Sequence, residues 1–99
     1  MPHAKKVILI AESGDVSRRD ALLRELFNDR IELFCAMGQG AHVWEDVLSW
    51  IVVMAKIDEG IDHDMLRSWH TEETLDEVVE FARQITIPSQ KDEIEIIRV

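Results

Sequence analysis

Lys6-Val7-Ile8-Leu9-Ile10-Ala11 places five consecutive apolar residues behind a lysine. Apolarity that runs on without alternating predicts a strand buried on both faces, the kind that parallel sheets form under two layers of helix. Glu12-Ser13-Gly14-Asp15 then breaks the run with loop chemistry. From there strand-like and helix-like segments alternate along the chain. Ser17, with Asp20 three residues on, predicts a capped helix start, and Val16 is placed to staple against Ala21. Leu22, Leu23, Leu26 and Phe27 fall on one helical face, and Asn28-Asp29 closes the helix. Ile31–Ala36 reads as a second strand and Met37-Gly38-Gln39-Gly40 as a loop.

The segment from Ala41 to Lys56 is the most apolar helix. Trp44, Val47, Leu48, Ile51, Met54 and Ala55 make one stripe, and Val43, Trp50, Val53 and Ile57 make another. A surface helix needs only one. The second stripe therefore predicts either packing on two sides or a face lent to a partner. Residues 57–64 form an acidic loop. Met65–Trp69 is read as a third strand. Thr71-Glu72-Glu73-Thr74 opens a third helix, with Thr74 and Glu77 as a capping box and Leu75, Val78, Val79, Ala82 and Ile85 as its buried face. Pro88 bars continuation. Residues 92–99 alternate charged and apolar side chains, as an edge strand with one wet face does.

The resulting order, βαβαβαβ over residues 1–99 as one domain, predicts an α/β fold. We expect a three-layer α/β/α sandwich around a four-stranded, mostly parallel sheet, Rossmann- or flavodoxin-like, with strand order 2-1-3-4.

Composition narrows the function classes. A net charge of −9, from 20 acidic and 11 basic residues, repels phosphate backbones and anionic head groups, so neither nucleic acid nor membrane is expected as a partner. One cysteine, Cys35, allows no internal disulfide and no cysteine-based zinc site. A cytoplasmic protein without cofactor or metal is expected. The acidic loop, with Asp58, Glu59, Asp62, His63 and Asp64, does not match the ligand spacing of a calcium-binding loop, and a solvated charge run accounts for it.

In a parallel sheet, ligands gather beyond the carboxyl ends of the strands. That rule nominates Glu12, Ser13 and Gly14 after the first strand, Cys35, Gly38 and Gly40 around the end of the second, and His70 and Thr71 after the third. His70 is a candidate acid–base group and Glu12 a candidate carboxylate partner. Cys35 is a candidate nucleophile, although a cysteine inside an apolar strand is commonly an inert small hydrophobe. Ser13, Gly14, Gly38, Gly40 and Thr71 are candidate ligand contacts. Trp50, Val43, Val53 and Ile97 are the candidate interface.

Phe34-Cys35-Ala36-Met37-Gly38, Trp44-Glu45-Asp46 and the stretch from Trp69 to Ala82 resemble a group of small uncharacterised bacterial α/β proteins. The resemblance implies a compact domain and no particular activity. Two expectations follow. The first is a non-enzymatic interaction or regulatory module that associates with itself, as a homodimer, or with another protein. The second is a small enzyme or ligand-binding domain with its site at the carboxyl ends of the strands.

Overall fold

The computed structural model describes residues 2–99. Seven elements alternate: β1 (Lys6–Ala11), α1 (Arg19–Asn28), β2 (Leu33–Gly38), α2 (Ala41–Glu59), β3 (Leu66–His70), α3 (Leu75–Gln84) and β4 (Ile94–Arg98). The four strands make one sheet in the order β3-β2-β1-β4, and every pairing is parallel. This corrects the expected order 2-1-3-4. The first two crossovers step the same way, from β1 to β2 to β3. The third doubles back across the sheet to set β4 against the free side of β1. Right-handed connections then place helices on opposite faces. α1 and α2 share one face, packed over Val7, Leu9, Ala11, Phe34 and Ala36. α3 alone covers the other, over Ile8, Ile10, Leu33, Cys35 and Met37. The continuous apolar run of β1 thus feeds both layers, with odd residues under two helices and even residues under one.

β3 joins the sheet as an edge strand, one residue further along than expected, and β4 is the other edge. α2 runs three residues past Lys56, to Glu59, and Gly60 caps it in the left-handed region at φ 69°. The capping box of α3 forms as expected: Thr74 Oγ1 accepts from the Glu77 N–H, and the Glu77 carboxylate accepts from the Thr74 N–H. The expected cap of α1 does not form. The Asp15 carboxylate accepts the Ser17 N–H at 2.9 Å, and the helix begins two residues later, with Arg18 at its N-cap. Ser17 is thereby held in a local Asx turn instead of facing the helix.

One buried charge belongs to the α3 face. Lys6 is 1% exposed, and its ammonium donates to the Ala82 carbonyl at 2.7 Å. The last carbonyls of a helix lack intrahelical donors and carry the negative end of its dipole. Lys6 therefore reaches under α3 and closes its final turn.

Candidate functional site

Two places in the molecule depart from simple packing. The first is the outer side of α2. Ala41, Trp44, Leu48, Val52 and Ala55 turn inward. Directly opposite, Val43, Trp50, Val53 and Ile57 stand in solvent, Trp50 at 65% and Ile57 at 70% exposed. Val43, Trp50 and Ile57 are seven residues apart, so they form a nearly straight seam along the helix. Val47 and Met54, half-buried, flank it. Asp46 is the one carboxylate within the seam. Trp69 is exposed on β3, with the His42 ring set edge-on at 6.0 Å. Ile97, expected at an interface, instead packs against the α1–α2 core, and its neighbour Ile96 is the exposed residue. The two-residue period of β4 turns one in and the other out.

The second place is the carboxyl half of β3, on the α3 face. Parallel register sets Cys35 beside Ser68 and Met37 beside His70. Ser68 and His70 are two residues apart on one strand, so both point to the same side. Ser68 Oγ lies 2.9 Å from His70 Nε2, and His70 Nδ1 lies 2.9 Å from Glu73 Oε1. The Phe81 ring from α3 meets His70 edge-on at 5.1 Å, leaving the imidazole 7% exposed. Burial pushes the Cys35 thiol above its usual range; Ser68 beside it and the Lys6 ammonium pull the other way without prevailing. Cys35 therefore remains a neutral thiol in the core.

The carboxylate partner of His70 is thus Glu73 from the β3–α3 loop. Glu12, the expected partner, forms an ion pair with Arg98 of β4, and β1 and β2 separate β4 from β3. The sequence nominates His70 without Ser68 or Glu73; the spacing Ser68-x-His70-x-x-Glu73 across a strand end is the signal that joins the three.

The remaining nominated positions serve the backbone. The Glu12 and Ser13 N–H groups both donate to the Val99 carbonyl, at 2.8 and 3.1 Å. Ser13 Oγ accepts from the Asp15 N–H. Gly14 sits at φ 74° against the Gln39 side chain. Gly38, at φ 89°, passes so close to β1 that a Cβ there would lie 2.5 Å from the Ala11 carbonyl oxygen. Its glycine is demanded by that approach, not by an anion. Gly40 is the left-handed N-cap of α2, and Thr71 is exposed beyond β3. In the acidic segment, Glu59 pairs with Arg24, Asp62 with Lys56 and Asp64 with Arg67, while His63 bonds the Ile31 carbonyl.

A cavity of about 450 Å³ opens at the opposite, amino-terminal rim, between Lys5, Arg30, His63 and Leu66. Its Lys5 ammonium is spent on the Asp29 and Arg30 carbonyls. Among the described residues no helix is long and apolar enough to cross a membrane.

The chain belongs to the family described as Domain of unknown function (DUF7684), whose family model matches residues 1–99. No curated protein and no solved structure matches it.

Proposed function

We propose that this member of the DUF7684 family is an interaction module that associates with a second copy of itself through the outer face of α2. The observation that carries the reading is the exposed seam of Val43, Trp50, Val53 and Ile57, opposite a helix face that is already packed. Lone exposed apolar residues are ordinary on a protein surface, but a contiguous seam led by tryptophan is what interfaces use.

The order of residues along the seam favours a second copy as the occupant. An isologous contact needs a surface that matches itself after a half-turn. If a two-fold axis passes at Trp50 with the helices antiparallel, Val43 meets Ile57 and Val47 meets Val53. His42 then faces Asp58, a pair of complementary polarity at the rim. Two copies, each at −9, repel across most of their surfaces. The outer face of α2 brings few charges into that encounter. The seam from residue 43 to 57 is about 21 Å long at a helical rise of 1.5 Å per residue, a usual length for a helix-pair contact.

We infer also that the sheet is of the doubly wound, Rossmann-like kind. The order 3-2-1-4 matches the first four strands of that arrangement, 3-2-1-4-5-6. In such sheets a phosphate sits where the strand order reverses, here between β1 and β4. The backbone donors there, at Glu12 and Ser13, are spent on Val99. That supports a binding partner at the helix face over a nucleotide at the strand ends.

A mixed cross-linking experiment tests the arrangement. Val43→Cys and Ile57→Cys chains are prepared separately and then mixed under mild oxidation. The native Cys35 is buried and does not compete. A disulfide joining position 43 of one chain to position 57 of the other is expected in excess over 43–43 and 57–57 products. Predominant 43–43 product overturns the antiparallel arrangement, and no cross-link at all overturns the interface.

A further inference from the structure

We propose that Ser68, His70 and Glu73 form a nucleophile, a general base and an orienting carboxylate that together accept an acyl group from a short carboxylic ester onto Ser68 Oγ. This rests on the β3 site and is independent of the α2 seam.

The two ring nitrogens of His70 face different partners. An ionised Glu73 only accepts hydrogen bonds, so it fixes the proton on Nδ1. The Nε2 lone pair is then turned to Ser68 Oγ, 2.9 Å away, and the serine hydroxyl donates to it. This is the tautomer and the geometry that general-base activation of a serine requires. Phe81 lies against the imidazole and keeps it from bulk water.

The strand edge supplies access. β3 pairs only with β2, and the Leu66 N–H donates inward to the Glu32 carbonyl. Backbone direction alternates along a strand, so the N–H groups of Arg67 and Trp69 point away from β2, toward the open edge. The Trp69 N–H belongs to the residue after the serine and is available to the carbonyl oxygen of an incoming ester. Leu66, 52% exposed, shares the face of Ser68, and Phe81 borders His70 on the same side. These two side chains offer a small apolar support for the acyl group, and the open edge suits an ester with a short acyl chain.

The step balances as follows. His70 Nε2 takes the Ser68 proton as Oγ bonds to the ester carbon. The ester C–O bond then breaks, and the alcohol leaves with that proton. Water, deprotonated in turn by His70, attacks the acyl-serine. It releases the carboxylic acid and restores Ser68. The net change is ester plus water to acid plus alcohol.

The test is covalent labelling of the full chain, with a fluorophosphonate and with p-nitrophenyl acetate as separate probes. Intact mass and peptide mapping locate any adduct. One equivalent at Ser68 is expected, and it is absent from Ser68→Ala. His70→Gln slows labelling by roughly a hundredfold or more. Glu73→Gln slows it by a smaller factor, roughly tenfold, because that carboxylate is 44% exposed and partly screened. A merely structural hydrogen-bond chain yields no adduct. The wild-type chain alone decides the matter if a variant fails to fold. No labelling of the folded wild-type chain overturns the proposal. So does an adduct mapped to Cys35 or a lysine, or a Ser68 labelling rate that Glu73→Gln leaves unchanged.

Discussion

The two faces of the sheet are built differently. Under α1 and α2 the middle of the layer is apolar, with Phe27, Trp44 and Leu48 packed over β1 and β2, and polar pairs stand only at its two edges, Arg67 with Glu45 at β3 and His3 with Glu95 at β4. Under α3 a ten-residue helix has four strands to cover. Its apolar cluster is smaller, and polar groups complete the layer: Lys6 under the last turn, Ser68 and His70 along β3. Where two helices meet the sheet, apolar packing fills the two central strands and leaves polar pairs to the edge strands. Where one helix must span it, polar side chains are admitted provided each finds a partner. The Ser68–His70–Glu73 chain of hydrogen bonds therefore lies on the thinly covered face, and the exposed apolar seam lies on the back of the thickly covered one.

Adjacent residues of β1 offer the sharpest way to break that comparison. Leu9 and Ile8 are both fully buried, and they point to opposite faces. Truncation to alanine costs about 2–5 kcal/mol in a core, depending on how well the surroundings collapse. Leu9→Ala is expected at the upper end of that range and Ile8→Ala at the lower, because α3 alone can settle onto the gap. Urea denaturation of both variants measures the difference. Equal losses would mean that the two layers are equally rigid.

A smaller effect sharpens the comparison at the margin of the two-helix face. His3 straps the chain start across that face: Nδ1 bonds Glu95 of β4 at 2.8 Å, and Nε2 bonds Glu25 of α1, with Asp29 nearby. Burial works against its charged form, but the Glu25 and Glu95 carboxylates outweigh it and raise the pKa above the ordinary 6.5. The stabilisation is therefore complete below about pH 6.5, the unfolded value, and is lost as pH rises through the raised folded value. The urea midpoint is expected to fall as pH rises above 6.5, and His3→Gln is expected to flatten that fall. An unchanged slope in the variant would remove His3 as its cause.

Much of this architecture can be read from residue patterns. Six of the seven elements are marked by apolar patterning, by Pro88 or by the Thr74–Glu77 box; β3, with modest apolar content, is placed as a strand only by its position between two helices. The outward stripe of α2 is visible because its four residues repeat at helical spacing on the side that the buried stripe leaves free. Strand order is not legible in the same way. Whether a crossover steps onward or doubles back depends on which face the next helix can pack, and no local pattern records that choice. The site at β3 lies between these cases. His70 stands out by residue type, and Ser68 shares its face by the two-residue period. Glu73 reaches the ring only because the loop turns back within three residues, a local turn that no residue type there announces. Ser17 fails as a cap for a similar reason: Asp15, two residues earlier, captures its backbone N–H first.

Sedimentation equilibrium of the wild-type chain beside Trp50→Glu tests the central claim most directly. The account predicts a wild-type mass approaching twice 11.5 kDa as concentration rises, and a variant that stays at 11.5 kDa and matches the thermal stability of the wild-type chain at dilutions where that chain is single. A wild-type chain that remains at the single-chain mass up to millimolar concentration would contradict it.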